Sequence, residues 1–247
     1  MEKAGIGAAV VTGASSGIGL EISRRLCELG YEVHGIGRDF SGAMADEGMR
    51  YFAEQGRFCP VVCDVLETDR LCALVRDIAA HSGVSVLVNN AGIGYYGLHE
   101  ELGPKKISMM VRTNLEVPLI LTQQLLRSLK KNAGFVINIS SVTAKQSSPH
   151  GCAYGATKAG LAGFSRSLSD EVRRYGVKVA TVFPDMTKTG LYRNADFGVG
   201  EEEDSYLLPE DVADAVQSVL TARDGVVITE VALRPQIHRI QRKRRGD

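Results

Sequence analysis

Short runs of apolar and β-branched residues alternate along the whole chain with longer stretches in which apolar positions recur every three or four residues. The short runs, at 7–12, 31–36, 57–63, 84–88, 134–139, 177–183 and 225–233, predict strands. The longer periodic stretches predict helices near 17–29, 42–55, 68–82, 105–131, 153–175 and 209–222. Runs such as Val84-Ser-Val-Leu-Val88 are apolar nearly throughout rather than alternating, as strands of a parallel sheet covered on both faces must be. The pattern predicts an α/β fold, a doubly wound parallel sheet with right-handed crossovers and helices on both sides. No repeat, low-complexity tract or linker divides it, so residues 1–247 are expected to form one domain.

Composition narrows the choice of partners. The 29 basic and 29 acidic residues cancel, which favours neither nucleic acid nor an anionic membrane. The basic cluster from Arg239 to Arg245 is expected to be part of a solvated, flexible tail over 234–247. No apolar run approaches the roughly 20 residues that span a bilayer, and Met1-Glu-Lys3 leads into the first strand without a signal segment, so a cytoplasmic protein is expected. The five cysteines are odd in number and sit among apolar neighbours, which suits reduced thiols. Cys59-x-x-x-Cys63 has no second pair or histidine cluster beside it, and no metal site is expected.

Candidate chemistry gathers where the predicted strands end. The turn Thr12-Gly13-Ala-Ser15-Ser16-Gly17-Ile18-Gly19 joins a strand to a helix start, where backbone amides and the helix dipole can hold a phosphate. Its GxxxGxG spacing differs from the common GxGxxG, but the glycines serve the same tight turn and close backbone approach. The second strand ends Gly37-Arg38-Asp39, where such folds read the adenosine ribose. Gly37 leaves the acidic place empty and Arg38 offers a guanidinium suited to a 2′-phosphate, which favours NADP(H) over NAD(H); Asp39 could take the ribose instead if the chain shifts by a residue or two. Asp64, with Val65 after it, closes the third strand and could either bond an adenine amino group or cap the next helix. Asn89-Asn90-Ala91-Gly92 ends the fourth strand; its asparagines suit a tight loop, with ligand contact through the backbone. Ile139 leads into Ser140-Ser141 at the end of the fifth, and Asn114 interrupts a long helical pattern at a cost in propensity unless its side chain or a local distortion is put to use.

Tyr154 and Lys158, four apart at the start of the helical stretch 153–175, project from one face. A tyrosine titrates near ~10, so using its phenolate near neutral pH requires about 4 kcal/mol of differential stabilisation. One cation at about 4 Å and an effective dielectric of about 20 supplies roughly that much before desolvation is counted.

Together Thr12-Gly-x-x-x-Gly-x-Gly19, Asn89-Asn-Ala-Gly92, Asn114, Ser141, Tyr154 and Lys158 resemble the short-chain dehydrogenase/reductase family, in order and over essentially the whole chain. The resemblance implies a Rossmann-type sheet of about seven strands in three αβα layers, a nicotinamide dinucleotide, a small-molecule carbonyl or alcohol substrate, and a homo-oligomer, usually a tetramer. It implies Tyr154 as general acid or base, Lys158 on the nicotinamide ribose, Ser141 on the substrate oxygen and Asn114 holding a water linked to Lys158. Pro184, Thr187 and Thr189 fall where the family meets the nicotinamide carboxamide. Two departures stand out: Asp185 replaces a common glycine, and Val231-Ala-Leu-Arg234-Pro235 replaces a frequent aspartate-glycine-glycine turn, an ending similar to that of NADP-dependent reductases of hydroxy acids and assorted carbonyls. The long segment 185–208 has the length of a lid, and Tyr192, Phe197 and Tyr206 with Tyr95 and Tyr96 suggest an aromatic-lined pocket; its acidic run Glu201-Glu-Glu-Asp204 is expected to be a solvated face. A dinucleotide-binding regulatory protein on the same fold is the alternative to an enzyme.

Overall fold

The computed structural model describes residues 7–237 and 239–242. Seven parallel strands form one sheet in the order β3-β2-β1-β4-β5-β6-β8: β1 (Ala8–Thr12), β2 (Glu32–Gly37), β3 (Phe58–Val62), β4 (Val84–Asn89), β5 (Phe135–Ile139), β6 (Lys178–Pro184) and β8 (Glu230–Leu233). Helices α1 (Gly17–Glu28), α2 (Ser41–Ala45), α3 (Glu47–Glu54), α4 (Thr68–His81), α5 (Pro104–Val111), α6 (Val117–Lys131), α7 (Cys152–Val172) and α8 (Pro209–Leu220) cover the two faces. The expected doubly wound three-layer architecture is therefore present. The strand order reverses between β1 and β4, and a crevice opens there beyond the carboxyl ends of the strands.

Each face of the sheet carries its own core. One packs Val11, Val33, Phe58, Val88 and Ile137 against α1, α3 and α8; the other packs Val10, Ile36, Leu87 and Val136 against α4, α6 and α7. On α6 the stripe Leu121, Leu125 and Leu129 is wholly buried, and truncating any one to alanine would cost roughly 3–5 kcal/mol.

Four elements differ from the sequence pattern. The helix expected over 42–55 is two, because Asp46 turns to extended backbone (ψ 126°) and its carboxylate accepts the Met49 N–H at 2.9 Å, capping α3. The helix expected over 105–131 contains a π-turn at Arg112–Glu116, a one-residue widening with Asn114 inside it. The last strand of the sheet is confined to Glu230–Leu233 instead of reaching back to 225. Finally, segment 185–208 is not wholly irregular: β7 (Phe197–Val199) pairs antiparallel with β9 (Ile240–Arg242), so these residues of the expected flexible tail are a strand. Arg239 bonds Glu202 at 2.6 Å and Gln241 bonds Glu201 at 2.8 Å, so part of the acidic run receives the chain's return rather than facing water alone. Residues 243–247 of the expected tail lie outside the described residues. All five cysteines are free thiols, and among the described residues no helix is long and apolar enough to cross a membrane.

Candidate active site

The first turn of the crevice is laced by hydrogen bonds between side chains and backbone. Thr12 Oγ1 accepts the N–H groups of Asn90 and Ala91 at 3.0 Å, while Asn90 Nδ2 donates to Thr12 O at 2.9 Å and Gly13 O at 3.3 Å, tying the ends of β1 and β4 together. A Cβ on Gly19 would stand 2.2 Å from Gly13 O and 2.4 Å from Asn90 Nδ2, so only glycine lets α1 start this close. Ser16 caps α1 with no side-chain hydrogen bond, and the first turn holds no acid. The opening amides of α1 are thus left for something other than a side chain, as a bound phosphate requires.

Arg38 lies exposed at the far end of the crevice and has no hydrogen-bond or ion-pair partner among the described residues. Asp39 is committed elsewhere: its two oxygens accept the Ser41 N–H at 2.8 Å and the Ser41 hydroxyl at 3.1 Å, holding its carboxyl below the usual range. Asp64 lines the crevice and also accepts the Leu66 N–H at 2.9 Å, so it closes a turn just ahead of α4.

At the opposite end, α7 presents one buried face through Tyr154, Thr157, Lys158, Leu161, Ser165, Leu168 and Val172. Polar pegs set its depth. Ser140 Oγ donates to Lys158 O at 2.9 Å, and the chain Asn89–Asn138–Ser165, linked at 2.8 Å at each step, runs across β4 and β5 into the helix. Lys158 Nζ donates to Ile139 O at 2.8 Å. Asn114 holds the loop after β4 in a two-way clasp: Oδ1 accepts the Ile93 N–H at 2.9 Å, and Nδ2 donates to Ile93 O at 2.9 Å and Thr157 Oγ1 at 3.1 Å. Relative exposure is 0% at Asn114, 8% at Ser141 and 4% at both Tyr154 and Lys158, so all four are withdrawn from bulk water. Ser141 hydrogen-bonds the Tyr154 phenol.

After β6, Asp185 accepts the Met186 N–H at 2.9 Å and its own N–H bonds Leu233 O, fixing the loop to β8. Thr187 is buried, and Thr189 stands over the phosphate turn, where a Cβ on Gly17 would lie 3.2 Å from its methyl. Gly13, Ser15, Ser16, Gly17, Ile18, Arg38, Asp64, Val65, Asn90, Ala91, Gly92, Ile139, Ser141, Tyr154, Lys158, Pro184, Thr187 and Thr189 all line this one crevice. Gly19 and Asn114 do not; both stand behind it, holding lining residues in place.

Residues 7–197 match the family described as short chain dehydrogenase. A putative ketoacyl reductase of Streptomyces coelicolor is 37% identical over 192 residues, 74% of this chain and 71% of its own length. A metagenomic short-chain oxidoreductase solved in complex with NADP is 32% identical, with a TM-score of 0.79 over 94% of this chain and 98% of that one. A 3-ketoacyl-(acyl-carrier-protein) reductase of Brucella melitensis, complexed with NADH, is 25% identical with a TM-score of 0.79 over 92% of this chain and 96% of that one.

The chain belongs to the short-chain dehydrogenase/reductase family.

It is thus an oxidoreductase, and its electrostatics differ from what a tyrosine–lysine pair alone predicts. Burial pushes the Tyr154 phenol well above its ordinary value, the neighbouring Tyr192 adds to the rise, and only the Ser141 hydrogen bond opposes it. Burial also lowers the Lys158 ammonium to about 8. The lysine's Nζ is turned to Ile139 O and lies 5.7 Å from the phenol ring centre, so in the chain alone desolvation outweighs the attraction expected between the pair.

In this short-chain dehydrogenase three of the five aromatic residues expected to line a pocket, Tyr96, Tyr192 and Phe197, come together. Tyr96 is packed against Tyr154 at 5.5 Å between ring centres, Phe197 at 5.0 Å and Tyr192 at 6.3 Å, forming an aromatic wall over the phenol. Tyr95 and Tyr206, also expected in that wall, instead sit beside Lys106 and Lys188. Thr113, Leu191 and Arg193 line the crevice as well. Thr113 could have been suspected from its place beside Asn114, and the other two from the length of segment 185–208.

Proposed function

We propose that the protein is an NADP(H)-dependent oxidoreductase that interconverts a secondary alcohol and a ketone, or a primary alcohol and an aldehyde, with Tyr154 as the general acid in reduction and general base in oxidation. The observation that carries this is the enclosure of the Tyr154 phenol with the Ser141 hydroxyl and the Lys158 amine at one end of a single crevice. The nicotinamide, when bound, supplies the hydride and, in its oxidised form, a positive charge. The opening amides of α1 with the 13–19 turn would hold its pyrophosphate, and Arg38 a 2′-phosphate. Asp64 and Val65 would meet the adenine; Asn90, Ala91 and Gly92, mainly through backbone, together with Ile139, Pro184, Thr187 and Thr189, would hold the nicotinamide half.

Burial keeps the Tyr154 phenol protonated at neutral pH, the state in which it gives a proton to a carbonyl oxygen. Ser141 steadies the charge developing on that oxygen. Lys158 uses one of its donors on Ile139 O and has the others for a ribose. Asn114 Oδ1 and Lys158 Nζ border the same space at Gly92, where an added Cβ would lie 3.6 and 3.5 Å from them; a water there would join the lysine to solvent and replenish the proton. The wall of Tyr96, Tyr192 and Phe197 suits a small or medium carbonyl compound with an apolar body, in keeping with a ketoacyl reductase among the relatives.

A ketone and aldehyde panel followed by NADPH absorbance identifies the substrate. With it, Tyr154→Phe is expected to lose about a thousandfold in kcat while NADPH binding, read by fluorescence titration, stays within about twofold. Undiminished turnover in that variant would overturn the assignment.

A further inference from the structure

In the amino-terminal halves of β2 and β3, away from the crevice, the parallel register sets His34 beside Cys59, and Glu32 precedes His34 by two residues on the same face of β2. A glutamate oxygen, an imidazole nitrogen and a thiol sulfur thereby lie within 4.8 Å of one another. The contact inside the group is not a satisfied one. His34 Nε2 and Glu32 Oε1 are 2.8 Å apart, yet the buried nitrogen makes no hydrogen bond, because the oxygen lies out of line with it. The imidazole is 12% exposed and the carboxylate 43%, so the group has a walled side and an open side. Ser82, just after α4, donates to Glu32 Oε1 at 3.2 Å and orients the carboxylate, the kind of outer hydrogen bond that fixes a metal ligand.

The donor set discriminates among ions. One thiolate and one imidazole are soft or borderline ligands that Mg²⁺ and Ca²⁺ do not select, whereas zinc takes S, N and O together. Tetrahedral zinc holds such atoms roughly 3.3–3.7 Å apart, so closing the group on an ion needs shifts of only about 1 Å.

We propose that Glu32, His34 and Cys59 bind one Zn²⁺ ion through carboxylate oxygen, Nε2 and Sγ, with water as the fourth ligand, clamping β2 to the edge strand β3. On binding, the thiol proton leaves to solvent as the sulfur–zinc bond forms, with no change of oxidation state. Sequence spacing sets Cys59 near Cys63, but Cys63 turns its sulfur to Asp64 O, and the neighbour of Cys59 is His34 across the strands, a pairing that spacing along the chain does not show.

The test is titration of chelator-treated, reduced full-length protein with Co²⁺, a spectroscopic substitute for zinc. One equivalent is expected to bind with tetrahedral visible bands and a thiolate-to-cobalt charge-transfer band, both displaced by Zn²⁺. Cys59→Ser and His34→Ala should abolish the charge-transfer band or weaken binding by at least about a hundredfold, and Glu32→Gln by at least about tenfold. Cys152→Ser, at an exposed cysteine elsewhere, should change nothing. At a free zinc concentration a hundred times Kd, the wild-type melting temperature should rise by about 5–10 °C and that of Glu32→Gln by far less. Circular dichroism in chelator checks that each variant is folded; if Cys59→Ser is not, Glu32→Gln, at a half-exposed side chain, decides the matter. Absence of the thiolate band in wild type, or its persistence in folded Cys59→Ser or at full strength in Glu32→Gln, overturns the proposal.

Discussion

The two ends of the crevice are built on opposite physical plans. The end proposed for phosphate is built from backbone: glycines that admit a close turn, amides at the head of α1 that no side chain caps, and one exposed guanidinium at the rim. The end proposed for the reaction is built from side chains withdrawn from water, where desolvation shifts the protonation equilibria of Tyr154 and Lys158. The first is sensitive to added atoms and indifferent to pH. The second is sensitive to pH, and its cost in folding is the cost of burying an amine that would rather be charged in water beside a phenol that would rather be hydrated.

That contrast can be broken or sharpened in four ways. The largest expected effect is Gly19→Ala, whose methyl would meet the Gly13 carbonyl, a backbone atom that cannot swing aside; a loss of about 3 kcal/mol in denaturant unfolding, together with weakened dinucleotide binding, is expected. Next is the pH response of the buried lysine. Below pH 8 the folded protein carries a desolvated ammonium, and from there to about 10 the folded state has shed a proton the unfolded chain still holds, so stability rises with pH. Wild type should therefore gain roughly 2–3 kcal/mol relative to Lys158→Met over pH 8–10, measured by urea unfolding. Above that range the raised tyrosines Tyr96, Tyr154 and Tyr192 act in the other direction, since the folded state keeps protons the unfolded chain releases. A flat difference between the two proteins would mean that Lys158 is not desolvated.

Arg38→Ala tests the rim. Loss of one charge-assisted contact should lower the NADPH-to-NADH affinity ratio by roughly ten- to a hundredfold while leaving NADH binding near its original value. An unchanged ratio would remove Arg38 from cofactor choice. The smallest effect belongs to Asp46→Ala, which strips the cap of α3: about 1 kcal/mol of stability lost, with dinucleotide affinity unaltered. If affinity fell too, the difference between a capped helix start and an uncapped one would lose its meaning as a marker of function.

Much of this arrangement was legible in the sequence. Continuous apolar runs such as 84–88 announced a doubly covered sheet, and Tyr154 with Lys158 at helical spacing announced a shared face. The interruption at Asn114 had a detectable cost in propensity, and the π-turn with its clasp on Ile93 is what offsets it. What escaped was set by tertiary geometry. Asp46 is compatible with a helix interior or a cap, and only its reach to Met49 decides. Tyr96 joins the wall over Tyr154 while its neighbour Tyr95 does not, a choice made by packing rather than by residue type. That burial raises the phenol's pKa in the chain alone was not legible, because spacing along a helix says nothing of where the amine turns or how dry its surroundings are.

The pairing of β7 with β9 places Phe197, a member of the wall, on a strand whose partner comes from residues 240–242. If the wall bounds the substrate as proposed, a stretch distant in sequence from Tyr154 helps to position one side of that boundary. A directed-evolution library restricted to crevice positions would leave that lever untouched, whereas one that also randomises 240–242 could retune which molecules enter without disturbing the groups that react with them.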